Sequence, residues 1–294
     1  MASLKEVRLR ITSVNSTQQI TKAMKMVSAA KLRRAQDAIV QMRPFASKLR
    51  EILENLSSSV DASESGGFAV VRPAEKILIV AITSNRGLAG AFNSNIIRYV
   101  NRAIAAEYKQ QHQNGNVKVL CIGKKASDFF NKKPGVFLRH HNEIFNNLTF
   151  DNTAAIAQQI MNEYAAGNYD RVVLVYNRFK NAAVQYVTSE AFLPITPPVS
   201  TDKKKGAAND YIFEPGKAEI VQDLIPRSLK TQLYKALLDS NASEHGARMT
   251  AMSKATDNAG ELLRDLRLQY NKARQAAITN EILEIVGGAE ALKG

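Results

Sequence analysis

The chain has 294 residues, 45% of them hydrophobic, with 15 Gly, 8 Pro and a single Cys. That is enough to fill a core, and it excludes a disordered chain, a collagen repeat and a disulfide scaffold. Lys and Arg number 40 against 27 Asp and Glu, a formal charge of +13 that favours an acidic partner, nucleic acid among the candidates. No apolar run reaches the ~18 residues of a spanning helix, and Met1 to Lys5 do not lead into an apolar signal core, so a soluble, unprocessed protein is expected. Cys121 cannot close an internal disulfide, and His112, His140, His141 and His245 lack metal-ligand spacing. Neither a metal nor another cofactor is expected, and a reducing cytosol suits the chain.

From Ser3 to about Ser57 there is no Gly, one Pro and a dominance of helix formers, which predicts one very long helix that Pro44 bends or splits. Leu4, Val7, Ile11 and Val14 step by three and four; so do Ile20, Met24 and Val27, and then Phe45, Leu49, Ile52 and Leu56. Polar residues from Asn15 to Gln19 interrupt this coiled-coil seam. Up to Arg50 the basic residues Lys5, Arg8, Arg10, Lys22, Lys25, Lys31, Arg33, Arg34, Arg43, Lys48 and Arg50 are opposed only by Glu6 and Asp37, making a basic rod.

Ser57 to Pro73 reads as a linker. Three short apolar runs follow, Ile77 to Ile82, Val117 to Ile122 and Val172 to Tyr176, as expected of strands buried on both faces of a parallel sheet. Helical segments lie between them, at Ser94 to Tyr108, Lys124 to Asn131 and Asn152 to Ala165, so the pattern is an open, Rossmann-like α/β sheet with right-handed crossovers. Val184 to Ile195 adds an edge strand, and Pro194, Pro197 and Pro198 end the sheet. Ser200 to Asn209 is an exposed loop, a short helical turn leads from Pro215 to Pro226, and the chain is helical again to Val286. There Ile225, Leu229, Leu233 and Leu237 recur at every fourth residue, and Leu263, Leu266, Tyr270, Ala273 and Ala277, then Ile278, Ile282 and Ile285, resume the stepping by three and four.

The domains are therefore expected at 1–60, 74–198 and 215–294, with the first and last paired as an antiparallel coiled coil, since stripes this long must bury each other or a partner. Ala23, Met24, Met26, Ala29 and Ala30 are expected to face Ala247, Met249, Ala251, Met252 and Ala255 across a thin interior. Arg248, Lys254, Lys272, Arg274 and Gln275 are read as a collar of free polar heads, with Arg248 and Arg274 about 39 Å apart on the axis.

Two other readings use the same residues. The turn Asn85-Arg-Gly-Leu-Ala-Gly90 follows a strand and precedes a helix, where backbone amides can cradle phosphate, but it lacks both the dinucleotide and the P-loop patterns, and no nucleophile and base form a catalytic set. No catalysis is expected of this chain. A coiled-coil nucleic-acid binder would use the basic rod, which however has no Tyr or Phe before Phe45 and an apolar stripe that demands a helical partner.

Ile20-Thr-Lys-Ala-Met-Lys-Met-Val-Ser-Ala-Ala-Lys31, Ser84-Asn-Arg-Gly-Leu-Ala-Gly-Ala-Phe-Asn93, Ser243-Glu-His-Gly-Ala-Arg-Met-Thr-Ala-Met-Ser-Lys-Ala-Thr-Asp-Asn258 and Tyr270-Asn-Lys-Ala-Arg-Gln-Ala-Ala-Ile-Thr-Asn-Glu281 together resemble the gamma subunit family of bacterial-type F-type ATP synthases, in order and over the whole chain. The resemblance implies a central-shaft rotor inside a ring of alpha and beta subunits. It also implies contacts with the epsilon subunit and the membrane c-ring, and a peripheral position on the cytoplasmic face of the bacterial inner membrane. It implies rotor-to-stator contacts at Met24, Arg248, Arg274, Gln275, Thr279 and Glu281. Lys25 and Ala89 stand where many relatives carry an acidic residue and a cysteine.

Overall fold

The computed structural model describes residues 4–57, 67–68, 71–195 and 217–291. The 57–73 linker lies mostly, and the 200–209 loop wholly, outside the described residues. Two compact units emerge: a helical unit of Met1–Ala29 with Arg248–Gly294, and an α/β unit of Ala30–Ala247.

The three apolar runs become strands β1 (Ile77–Ile82), β2 (Val117–Ile122) and β4 (Arg171–Phe179), joined by two further strands, β3 (Phe137–His140) and β5 (Gln185–Leu193). The sheet order is β3-β2-β1-β4-β5, with β5 alone antiparallel to its neighbour. β1 is apolar throughout because it sits at the centre and is covered on both sides. Its alternate residues divide between two cores. Ile77, Ile79 and Ala81 pack with Ile96, Val100 and Ile104 of α2 (Phe92–Ala106) and Phe130 of α4 (Lys124–Phe130). Leu78, Val80 and Ile82 pack with Ile156 and Ile160 of α5 (Phe150–Ala165) and with Ile225, Leu229, Leu233 and Leu237 of the last helix, α6 (Lys217–Ala291). The short helix α3 (Lys109–Gln113) precedes β2. The period of two along one strand thus places helices on both faces.

Sequence periodicity does not announce β3: it has four residues, half-buried or exposed, ending in Arg139 and His140. No helix ends at either proline. The first helix, α1, runs as one element over Leu4–Ser57 through Pro44, and α6 runs through Pro226. A proline inside a helix costs about 3 kcal/mol. Ile39 and Leu49 flank Pro44, and Ile225 and Leu229 flank Pro226, all buried. At about 1.5 to 3 kcal/mol per side chain, that burial offsets the lost hydrogen bond.

One glycine is demanded by geometry. Gly123, between β2 and α4, has φ +111°, and a Cβ there would lie 2.1 Å from the Thr83 carbonyl oxygen. Gly123→Ala is expected to destabilise the full-length subunit by about 3 kcal/mol or more. Denaturant unfolding followed by circular dichroism checks this, and an unchanged midpoint would refute it.

Candidate functional site

The carboxyl edge of the sheet, where β1 lies beside both β2 and β4, is the place at which open α/β folds bind phosphates. Here that edge is closed by its own side chains. The Ser84 amide donates to Asn93 Oδ1 at 2.9 Å, Asn93 Nδ2 donates to Ser84 Oγ at 2.8 Å, and Ser84 Oγ donates to the Arg86 carbonyl at 2.6 Å. The first amides of α4 are taken in the same way: Lys124 by Asn85 Oδ1, Lys125 by the Ser84 carbonyl and Ala126 by Thr83 Oγ1, all within 3.1 Å. The Ser84 amide and the first amides of α4 are thus already used within the chain. Cys121, beneath it in β2, is fully buried, and burial pushes its thiol up to about 12.

Sequence reasoning passed over Leu88 in this loop. It holds φ +61°, which is strained for a branched side chain, and 65% of it is exposed. Its only signal in the sequence is the pair of flanking glycines.

In the helical unit, α1 and α6 pair antiparallel. Lys25 Nζ donates to Ser253 Oγ (3.0 Å), Thr256 Oγ1 donates to Thr21 Oγ1 (2.8 Å), and Gln18 Nε2 lies 3.1 Å from the position a Gly260 Cβ would take. The buried and half-buried residues of α1 here are Leu4, Val7, Ile11, Val14, Gln18, Thr21, Met24 and Ser28. Only one step departs from the alternation of three and four, so the seam is not interrupted from Asn15 to Gln19; it passes through polar residues. Ile20 (59% exposed), Val27 (57%) and Met26 (62%), expected inside, face outward, as do Ala23, Ala29 and Ala30. Hydroxyls and amides that bond across the pair hold the interior that larger apolar groups would otherwise fill. In the α/β unit Phe45 is likewise exposed, although Leu49 is buried.

On α6 the stripe Met252, Ala259, Leu263 and Leu266 is buried, and Tyr270, Ala273 and Ala277 are half-buried. The three cross-pair contacts set partner numbers that sum to about 278, so Leu4 lies opposite residue ~274. Beyond that point α6 lies past the described part of α1. Residues 278–290 are exposed throughout, including Ile278, Ile282, Leu283, Ile285 and Val286. The stripe expected to continue over Ile278, Ile282 and Ile285 is therefore apolar but uncovered within the chain.

The candidate contact residues separate into two groups. Met24 is half-buried in the seam. Arg274, Gln275, Thr279 and Glu281 are exposed together, with Thr279 Oγ1 donating to the Gln275 carbonyl at 2.9 Å. Arg248 departs from the expected free collar: it is 8% exposed and has a partner within the chain. Of the expected collar, Lys254, Lys272, Arg274 and Gln275 are exposed.

Long terminal helices flanking a five-stranded α/β unit are the architecture of a central-stalk subunit. The sequence profile of the family described as ATP synthase matches residues 3–292. ATP synthase gamma chains of Flavobacterium johnsoniae and Flavobacterium psychrophilum are 59% and 60% identical, with the whole of each chain covered. A chain of the Euglena gracilis mitochondrial ATP synthase, in its OSCP/F1/c-ring assembly, superposes with a TM-score of 0.70 at 26% identity, over 98% of this chain and 94% of that one. A chain from the central stalk and c-ring of the Tetrahymena thermophila mitochondrial enzyme gives 0.59 at 28% identity, over 80% and 99%. The chain belongs to the ATP synthase gamma chain family. It is a rotor subunit and not itself the catalyst, and nothing in its relatives supports a nucleic-acid binder.

Two outcomes follow from this geometry. Leu266→Ala is expected to destabilise the subunit by about 2 kcal/mol or more, while Ile20→Gln and Val27→Gln change it by less than about 0.5 kcal/mol; thermal melts that reversed this order would overturn the seam. The Cys121 thiol is expected to resist a disulfide reagent at pH 8 until the subunit unfolds, and rapid labelling of the native protein would contradict its burial.

Proposed function

We propose that the helical unit turns inside a ring of alpha and beta subunits while the α/β unit meets the epsilon subunit and the membrane c-ring, so that ion-driven rotation drives ATP synthesis at the beta subunits. The observation that carries this reading is the apolar overhang of α6. A helix end with five exposed large aliphatic residues, Ile278, Ile282, Leu283, Ile285 and Val286, is costly in water and suits an apolar sleeve. The functional domains then follow 1–60, 74–198 and 215–294, and the complex sits on the cytoplasmic face of the bacterial inner membrane. No helix among the described residues is long and apolar enough to cross a membrane, which accords with a peripheral subunit.

The mechanism rests on symmetry. A single chain with no threefold axis, placed in a ring of three beta subunits, contacts each one differently, so the three nucleotide sites differ in affinity at any moment. Turning the shaft permutes the differences. Met24, Arg248, Arg274, Gln275, Thr279 and Glu281 are the positions where such contacts are made and broken, Arg248 from a mostly buried place on α6. A guanidinium against beta carboxylates adds about 1.5 to 3 kcal/mol when shielded from water and far less when exposed. The basic face of α1 and the exposed Arg274 call for carboxylate-rich loops on the partner, in place of a phosphate backbone.

Replacing Arg274 and Gln275 together by Ala is expected to leave the helix content of the subunit unchanged, since Ala is the better helix former, while lowering ATP turnover of the reconstituted complex several-fold or reducing its assembly. Circular dichroism, ATPase rate and subunit stoichiometry check this. Full turnover with normal assembly would reduce both residues to solvated surface.

A further inference from the structure

Within the α/β unit, α6 meets the β4–β5 hairpin along one narrow stripe of polar and small residues. The stripe is Gln232, Asp239, Ser243 and Gly246, stepping by seven, four and three, so it runs along one side of the helix for about 21 Å. Gln232 Nε2 donates to the Ala191 carbonyl of β5 at 3.0 Å. Asp239 is buried near the Tyr176 phenol, which donates to Glu190 at 2.7 Å. Ser243 Oγ donates to the Asn177 carbonyl of β4 at 2.9 Å, and Asn177 Nδ2 passes the connection on to the Phe92 carbonyl at the start of α2 (3.1 Å), both bonds fully buried.

At the end of the stripe the contact becomes steric. A Cβ on Gly246 would lie 3.2 Å from both Cα and the carbonyl oxygen of Ala182, and 3.5 Å from the Phe179 ring. Ala182 sits at the hairpin tip, which cannot easily retreat. Asn181 Oδ1 accepts from the Ala183 and Val184 amides (3.0 and 2.8 Å), and Gln185 Nε2 donates to the Ala182 carbonyl (2.9 Å). The tip is a stitched backbone wedge seated in a glycine notch.

These two kinds of contact resist different motions. The aliphatic side chains Ile225, Leu229, Leu233 and Leu237 hold α6 on the sheet but tolerate small rotations and slips, because dispersion contacts have little directionality. Hydrogen bonds at fixed angles and a wedge in a notch do not. We propose that the β4–β5 hairpin is a torque clasp: it locks the azimuth of α6 to the sheet, so that a turn imposed on the α/β unit reaches the helix without slip. Gly246, Ser243 and Asn177 are positioning residues in this scheme. The proposal rests on the rotor reading, and Gly246 is the position at which the two can be separated.

The test uses the complete complex reconstituted in vesicles, comparing the subunit as it stands with Gly246→Ala, Gly246→Val, Gly246→Leu and, separately, Ser243→Ala. ATP hydrolysis and ATP-driven proton pumping are measured on the same preparation. Failure of the unsubstituted complex to pump would refute the rotor reading itself. With pumping established, the clasp predicts hydrolysis within twofold of the unsubstituted complex while protons pumped per ATP fall as the side chain at 246 grows, by at least threefold at Leu, with a smaller fall for Ser243→Ala. An unchanged ratio in every assembled variant, or hydrolysis and pumping lost in equal proportion, would overturn it. If Val and Leu prevent assembly, Gly246→Ala and Ser243→Ala decide by the same ratio.

Discussion

The helical unit depends on a seam one side chain wide. α1 and α6 touch through Gln18, Thr21, Met24 and Ser28 on one side and Met252, Ser253, Thr256 and Gly260 on the other, and hardly any of these is large. Small residues let the backbones approach, and the polar ones convert close approach into hydrogen bonds. A seam of this kind specifies register more strongly than it adds burial, because each bond has one partner at one height. Register in turn decides where α1 ceases to cover α6, and that point defines the exposed aliphatic end of the longer helix. The feature most suggestive of a partner is therefore a consequence of polar residues some thirty positions away.

The α/β unit uses polar groups in the opposite sense. At the carboxyl edge of its sheet Thr83, Ser84, Asn85 and Asn93 spend their side chains on backbone groups that other α/β proteins leave open for ligands. These bonds tie the β1–α2 turn to the start of α4. Among the exposed residues there is Leu88, a leucine on a strained turn. Charge follows the same division: ion pairs matter little along α1, where Glu6 and Arg10 pair on an exposed face, while the buried Arg248 is held inside.

Much of this was legible in the amino-acid order, and particular residues show where legibility ended. The runs beginning at Ile77, Val117 and Val172 read as strands covered on both faces, since short, nearly continuous apolar runs suit no half-exposed element. The gap between Ser57 and Pro73, the long glycine-free start and the leucines from Leu229 to Leu237 set the order of helix, sheet and helix. The motifs from Ile20 to Lys31 and from Ser243 to Glu281 pointed to the family before any contact was known. They did not reveal which side of the helix faces in. Ile20 and Val27 carry more apolar area than Thr21 and Ser28, so any rule based on hydrophobicity alone selects the wrong stripe by about a third of a turn.

Local chemistry therefore determined element type, element order and family, because these depend on periodicities of two and 3.6 that each segment carries by itself. The tertiary structure decided what depends on two segments at once. It decided the inclusion of the four-residue β3, which exists only because β2 offers an open edge. It decided the passage of α1 and α6 through Pro44 and Pro226, where burial on both sides outweighs one missing bond. It decided the seating of Ala182 against Gly246, sixty-four residues away in sequence. Each is a pairwise event, and no window of sequence contains both partners.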